Sequence, residues 1–322
     1  MNAMEKKKVL ITSRSFGQIS DEPLRVLEEA GWEVSMDRDS FDMDRFAAEI
    51  PAFDALIIGG HKFPAEVMTK CPKLKLICKH GAGLDNIDLP AAKAQGITVT
   101  NAPGTNSNAV ADLTFGLMLS CARRISAAER GVRRGEWKTV IGHDVYGKTL
   151  GIMGFGAIGK CVARRAKGFS MKILAYDPFV KEVPEEFRGS VELFEDPDDV
   201  IRNCDYLSMH LPLTDETRNM ISAKEMGEMR KGAVILNTSR GGIVNEEDLY
   251  EALQSGQIAA AAMDVVVSEP MPKDHPLLTL DQVVVTPHIG MYSEEAINAV
   301  SMICAENAAA LLTGAEMKFV VQ

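Results

Sequence analysis

Three features of this 322-residue sequence predict an α/β fold built from doubly wound parallel sheets. Continuous apolar runs of strand length recur along it and are separated by stretches of helical periodicity. Such strands are buried on both faces, as in parallel sheets covered by helices. The alternation pauses after Thr100 and restarts at Leu150, so two α/β units stand in tandem. The restart leads directly into Gly154-Phe155-Gly156-Ala157-Ile158-Gly159, a glycine-rich turn between a strand and a helix.

In chain order, Val9-Leu10-Ile11-Thr12 reads as a buried strand, and Pro23 to Ala30 as a helix closed by Gly31. Trp32 to Met36, Ala55 to Ile58, Leu74 to Cys78 and Ile97 to Thr100 are the next strands. Asn106 to about Arg123 is a helix, with Val110, Leu113, Leu117 and Cys121 at helical spacing. Gly131 to Lys148 reads as a polar arm or loop that presents Trp137. Leu150 to Met153, Lys172 to Ala175, Tyr206 to Met209, Val234 to Leu236 and Val283 to Val285 are the strands of the second unit. A last helix is expected from Ser293 to Leu312, with Ile297, Val300, Cys304, Ala308 and Leu311 on one face.

Composition is that of an ordinary globular chain, 46% hydrophobic and 25% charged. The formal charge of −10 argues against binding nucleic acid or anionic membranes through bulk electrostatics. Six cysteines without a C-x-x-C pair suggest reduced thiols in a cytoplasmic protein rather than a disulfide framework or a metal site. No stretch approaches the roughly 18 consecutive apolar residues of a membrane span, and no metal is expected.

Within the glycine turn, Gly154 permits the tight bend, Gly156 lets backbone approach a pyrophosphate, and Gly159 lets the helix pack on the strand. The N–H groups of Ala157 and Ile158, at the helix start, suit phosphate. Asp177 ends the next strand; its carboxylate can accept from both ribose hydroxyls and would repel a 2′-phosphate, which favours NAD over NADP. A turn that merely packs a helix on a strand needs none of these partners. Gly154 to Lys160 also begins a P-loop pattern, but Cys161 stands where a hydroxyl should hold magnesium.

The chain resembles the D-isomer-specific 2-hydroxyacid dehydrogenases over nearly its whole length. The likeness rests on the glycine turn and on several motifs in order. These are His80-Gly81-Ala82-Gly83-Leu84-Asp85-Asn86-Ile87-Asp88, Asn101-Ala102-Pro103-Gly104, His210-Leu211-Pro212-Leu213-Thr214, Asn237-Thr238-Ser239-Arg240-Gly241-Gly242, Met263-Asp264-Val265 and Pro287-His288-Ile289-Gly290. The members it looks most like are phosphoglycerate dehydrogenase and the hydroxypyruvate and glyoxylate reductases. The resemblance implies a Rossmann NAD-binding domain, residues 102–291, inserted into a flavodoxin-like substrate-binding domain made of residues 1–101 and 292–322, with the active site in the cleft. It also implies a homodimer, formed through the helix from Asn106 and the Trp137 arm.

By the same resemblance Arg240, Glu269 and His288 match the catalytic triad. Each residue type suits its role. A planar guanidinium grips a carboxylate at two points, an imidazole exchanges the proton, and a carboxylate on the far ring nitrogen favours the imidazolium. Taken singly, Arg240 reads equally as a surface ion-pair residue, Glu269 as solvated loop and His288 as a strand-end histidine. The family also implies that Gly81, Ala82 and Gly83 cradle the substrate carboxylate. Pro212, Thr238, Ser239, Asp264 and Gly290 would border the cofactor.

His61, Lys62 and Lys79 end strands of the first unit and are candidates for a substrate phosphate or plain surface charges. Met291 and Tyr292 could shape the pocket or pack at the hinge. His143 and His275 read as exposed loop residues, and His210 as a strand-end residue near the cofactor. Ala157 replaces an arginine common in the family's turn, and Val266 a common phenylalanine. Two rival functions remain open at this point: an NADH-sensing corepressor-like protein, and a phosphite- or formate-type dehydrogenase.

Overall fold

The computed structural model describes residues 6–37 and 41–321. It divides into two compact units, residues 1–106 with 291–322, and residues 107–290.

The first unit holds a five-stranded parallel sheet of β1 (Lys8–Ile11), β2 (Glu33–Met36), β3 (Ala55–Ile58), β4 (Leu76–Lys79) and β5 (Thr98–Thr100), in the order β2-β1-β3-β4-β5. This is the flavodoxin-like order. Its central strands are fully buried, as a sheet covered on both faces requires. Leu10, Leu56, Ile58 and Ile77 pack on one face, and Val9, Ile11, Ile57 and Cys78 on the other.

The helix Glu294–Thr313 covers the second of those faces through Val300, Cys304, Ala305 and Ala308. Ser293 caps its start by accepting from Ala296 N–H, and Gly314, at φ 74°, ends it. By length and a mean hydropathy of 1.3 this helix passes as a membrane span, contrary to the expectation that no stretch does. Its apolar residues are instead core contacts with the sheet. Trp32 Nε1 donates to Ala308 O at 3.0 Å and ties the helix to the strand edge.

The second unit holds seven parallel strands: β6 (Thr149–Met153), β7 (Lys172–Tyr176), β8 (Val191–Phe194), β9 (Tyr206–Met209), β10 (Ala233–Asn237), β11 (Ile258–Met263) and β12 (Val283–Val285). Their order is β12-β11-β10-β9-β6-β7-β8, a Rossmann arrangement whose order reverses between β6 and β9. Alternate residues feed opposite faces: Leu150 and Ile152 pack with the helices Ser107–Arg123 and Ala157–Gly168, while Met153, Leu207 and Met209 face the other layer.

Two strands, β8 and β11, lie outside the expected set. The Ile258–Met263 run carries four consecutive alanines, a residue depleted in strands, and it forms one because β10 and β12 pair with it on either side. The expected arm also differs. Its first residues, Gly131 to Arg133, finish a helix, Ile125–Arg133, set off from the preceding helix by Arg124 in the left-handed region at φ 53°.

Candidate active site

The reversal point of the second sheet places the glycine turn beside the end of β9. Gly154 sits at φ 98°, and a Cβ there would lie 2.5 Å from His210 O, so only glycine fits this turn. At Gly159 a Cβ would overlap Gly154 O, which is the close helix–strand packing expected. Gly156 differs, because a Cβ there would meet nothing within 4 Å. That open space adjoins the start of the helix Ala157–Gly168, whose N-terminus has no side-chain cap. Uncapped N–H groups at a helix start beside open space suit an anion.

Asp177 completes the arrangement. Its Oδ2 accepts from Phe155 N–H at 2.8 Å and its Oδ1 from Phe179 N–H at 2.9 Å. The carboxylate is thereby pinned at the turn, and each oxygen keeps lone-pair capacity for a hydroxyl donor. These residues fit a dinucleotide without a 2′-phosphate.

Arg240, Glu269 and His288 all belong to the same unit. His288 Nδ1 lies 2.8 Å from Glu269 Oε2. Burial alone would push the Glu269 carboxyl up. The hydrogen bond and charge of His288, the Val266 N–H at 3.2 Å and the charge of Arg240 outweigh it and hold Glu269 below the ordinary carboxylate range. Arg240 follows β10, where Asn237 Nδ2 donates to its carbonyl at 2.8 Å and Arg240 Nη1 donates to Ser239 O at 2.7 Å.

His288 is 50% exposed at the side chain and adopts φ 53°, a region a histidine rarely enters. The backbone is held there by Asp264. Its carbonyl accepts from His288 N–H at 2.8 Å, and its carboxylate takes Thr286 Oγ1, Ile289 N–H and Gly290 N–H at 2.6, 2.9 and 2.8 Å. Burial pushes this carboxyl above its ordinary range against those bonds. Asp264 thus fixes the loop that carries His288. Gly290 has Asp264 Oδ2 as its near neighbour.

Thr238 and Ser239 are buried, with hydroxyls bonded to Thr114 and Asn237. Pro212 is exposed beside the glycine turn's neighbour Leu211. His210 is bonded to Ser208 Oγ at 2.8 Å and pushed by burial down to about 3, so it stays neutral. His143 is exposed as expected. His275 is not: only 20% of its side chain is accessible, and it pairs with Glu246 at 3.2 Å. No sequence signal distinguishes that pair, because Glu246 reads as an ordinary first-turn acid of a helix.

In the first unit, Gly81 takes φ 150°, and its carbonyl and that of Ala82 are bonded by Ala102 N–H and Asn101 Nδ2. Lys79 is buried and donates to Gly59 O at 2.6 Å and Asn86 Oδ1 at 2.9 Å. His61 stacks on Phe41 and bonds Thr12 Oγ1 at 2.7 Å. Burial, aided by the Lys79 charge, pushes it down to about 4. Lys62 is exposed, Met291 is half-buried near Gly81, and Tyr292 is exposed. Among the described residues no group of three or more His, Cys, Asp or Glu is placed to hold a metal.

Residues 115–290 match the family described as D-isomer specific 2-hydroxyacid dehydrogenase, NAD binding domain. A D-3-phosphoglycerate dehydrogenase of Methanocaldococcus jannaschii is 43% identical over 311 residues, 95% of this chain; the chain spans 58% of that relative's length. A glyoxylate reductase of Korarchaeum cryptofilum is 40% identical, with 90% of this chain and 92% of that protein covered. The crystal structure of a glyoxylate reductase from Paecilomyes thermophila superposes with a TM-score of 0.86 at 30% identity, covering 99% of each chain.

The chain belongs to the D-isomer specific 2-hydroxyacid dehydrogenases. The matched family domain is an NAD-binding domain, and the cofactor is NAD. Its glycine turn and Asp177 lie inside the matched NAD-binding domain, as do Arg240, Glu269 and His288.

Proposed function

We propose that this dehydrogenase interconverts a small D-2-hydroxy acid and its 2-keto acid, of the 3-phosphoglycerate, hydroxypyruvate or glyoxylate type. The observation that carries it is the His288–Glu269 pair at 2.8 Å, in the unit that also presents Arg240 and the glycine turn. Residues 102–291 would hold the cofactor and residues 1–101 with 292–322 the substrate. Gly154, Gly156, Ala157, Ile158, Gly159 and Asp177 would bind the dinucleotide, bordered by the backbone of Thr238 and Ser239 and by Pro212, Asp264 and Gly290.

Bound NADH supplies the hydride to the keto carbon. Arg240 holds the substrate carboxylate bidentately and polarises the adjacent carbonyl. Because Nδ1 of His288 donates to Glu269, Nε2 is the atom that gives a proton to the developing alkoxide and recovers it in oxidation. Glu269 fixes that ring orientation. The N–H groups of the Gly81-Ala82-Gly83 loop would also hold the carboxylate.

The test is NADH oxidation with pyruvate, glyoxylate, hydroxypyruvate and phosphohydroxypyruvate. Turnover of glyoxylate or hydroxypyruvate, lost in Arg240→Ala, supports the reading. Bound NADH with no turnover of any of the four overturns it and favours a sensor.

A cytoplasmic homodimer is part of the same proposal. All six cysteines are unpaired and buried, which suits a reducing compartment. Trp137 is 91% exposed, and Ile125, Val132, Ile141 and Tyr146 of the same stretch are exposed too; an apolar surface of that kind marks an interface.

A further inference from the structure

The loop that carries Glu269 has little packing to define it. Val266 and Leu277 are buried, but between them only Met271 and His275 are even half-buried. Val267 itself is largely exposed. Apolar contacts therefore anchor the two ends and leave the intervening backbone to hydrogen bonds. A side chain whose carboxylate must meet an imidazole at 2.8 Å needs a better defined base than that.

One residue supplies it. Glu246 opens the helix Glu246–Gln254, six residues beyond Arg240. Its Oε1 accepts from Val267 N–H at 2.7 Å, just before Glu269. Its Oε2 lies 3.2 Å from His275 Nε2, six residues after Glu269. The tautomer follows from the neighbours. His275 Nδ1 accepts from Leu277 N–H at 3.3 Å, so Nε2 carries the proton and donates to Glu246. A single carboxylate, 11% exposed at the side chain, thus holds the segment on both sides of Glu269.

The same chain stretch is pressed on that loop at a second point. A Cβ at Gly241, the residue after Arg240, would overlap Val266 O. The backbone after Arg240 therefore touches the backbone before Glu269. Val266 N–H in turn donates to Glu269 Oε1 at 3.2 Å.

We infer that Glu246, clasping Val267 and His275, is a positioning residue that sets Glu269 against His288 and holds both in register with Arg240. This rests on the dehydrogenase reading for its consequence in catalysis, but not for its geometry. The two N–H donors meet different oxygens of Glu246, and glutamine would turn an NH2 donor toward one of them. The charged groups around His288 are Glu269, Asp264 and, through Glu269, Arg240.

The test compares Glu246→Gln, His275→Ala and the double variant with the wild type. The hydrogen-bonded His288 Nδ1 proton is followed by NMR, NADH oxidation with glyoxylate is measured across pH, and thermal melts are recorded. Both single variants should weaken or lose that Nδ1–H signal, because Glu269 is no longer held at Nδ1. Both should lower kcat on the order of tenfold, the scale of a small misplacement of a reacting group, while KM for NADH is unchanged. The double variant should be no worse than Glu246→Gln, since the contact that His275→Ala removes is already disturbed in Glu246→Gln.

Lowered melts with an unchanged His288 Nδ1–H signal and unchanged kcat would reduce the clasp to a structural brace and overturn the inference. A change in Glu246→Gln alone would show that the His275 arm does not hold Glu269 and overturn the two-armed clasp. The NMR signal needs no turnover. If no keto acid is reduced but the signal is lost in both variants, the clasp stands and the dehydrogenase reading falls.

Discussion

At the scale of single residues, the proposed chemistry divides between a charge that grips and a charge that orients. Arg240→Lys keeps the charge but loses the bidentate fork. It should lower kcat/KM for the keto acid by roughly 10²-fold or more, with NADH affinity intact by fluorescence titration. Glu269 differs because its carboxyl is held low by His288, Val266 N–H and Arg240 against the effect of burial. A carboxylate depressed in this way stays ionised until the pH falls below its ordinary range. Reductive activity should therefore persist through that range and fail only at lower pH, as Glu269 takes up a proton. In Glu269→Gln that acid limb should vanish along with most of the rate. An unchanged acid limb in a kcat/KM profile would remove Glu269 from this role.

Among elements, the strand-to-helix turns carry the demands that cannot be met by another residue. Gly159→Ala puts a methyl onto Gly154 O, so the helix must lift from β6. NADH affinity should drop at least on the order of tenfold, with the loss read by fluorescence titration. Asp177→Ser removes the carboxylate that would repel a 2′-phosphate, and the ratio of NADH to NADPH efficiency should fall by about tenfold or more. A variant that keeps full preference for NADH would place the discrimination elsewhere. The loop 286–290 shows the same dependence on one buried group: Asp264 accepts four hydrogen bonds from it, counting its carbonyl.

For the whole molecule, the buried histidines couple stability to acidity. His80 is almost fully enclosed. Its Nε2 meets Ser301 Oγ at 2.9 Å, and Ser301 donates its own proton to Ile297 O, so Nε2–H is the donor and Nδ1 accepts from Ser13 at 3.0 Å. Burial, with the Lys79 charge, pushes His80 down to about 3; His61 lies near 4 and His210 near 3. Between about pH 6.5 and those values the unfolded chain binds protons that the native chain refuses, so stability falls as pH falls. Each histidine contributes a slope of up to about 1.4 kcal/mol per pH unit. Urea midpoints from pH 7 to 4 should decline, and His80→Asn should flatten the decline. Sedimentation should give a dimer at micromolar protein and a weaker one for Trp137→Ala; a wild-type monomer would sink that assignment.

Much of this is legible in the sequence because the signals are local. Apolar runs of strand length mark nearly every central strand, since a parallel sheet buries both faces. The strand, glycine turn, helix and Asp177 mark the proposed nucleotide site because their order and spacing are local, although the contact that requires Gly154 comes from the distant His210 O. The alanine run of β11 is not legible in this way, because its strand state comes from partners on both sides rather than from its own propensity. Glu246 and His275 are hidden because neither residue differs, within its own segment, from a helix-start acid and a loop histidine. Residue types and their local order were the sequence's to determine. Only tertiary structure decided which carboxylate meets which imidazole, because those distances are set by strands paired far apart in the chain and by hydrogen bonds that close across them.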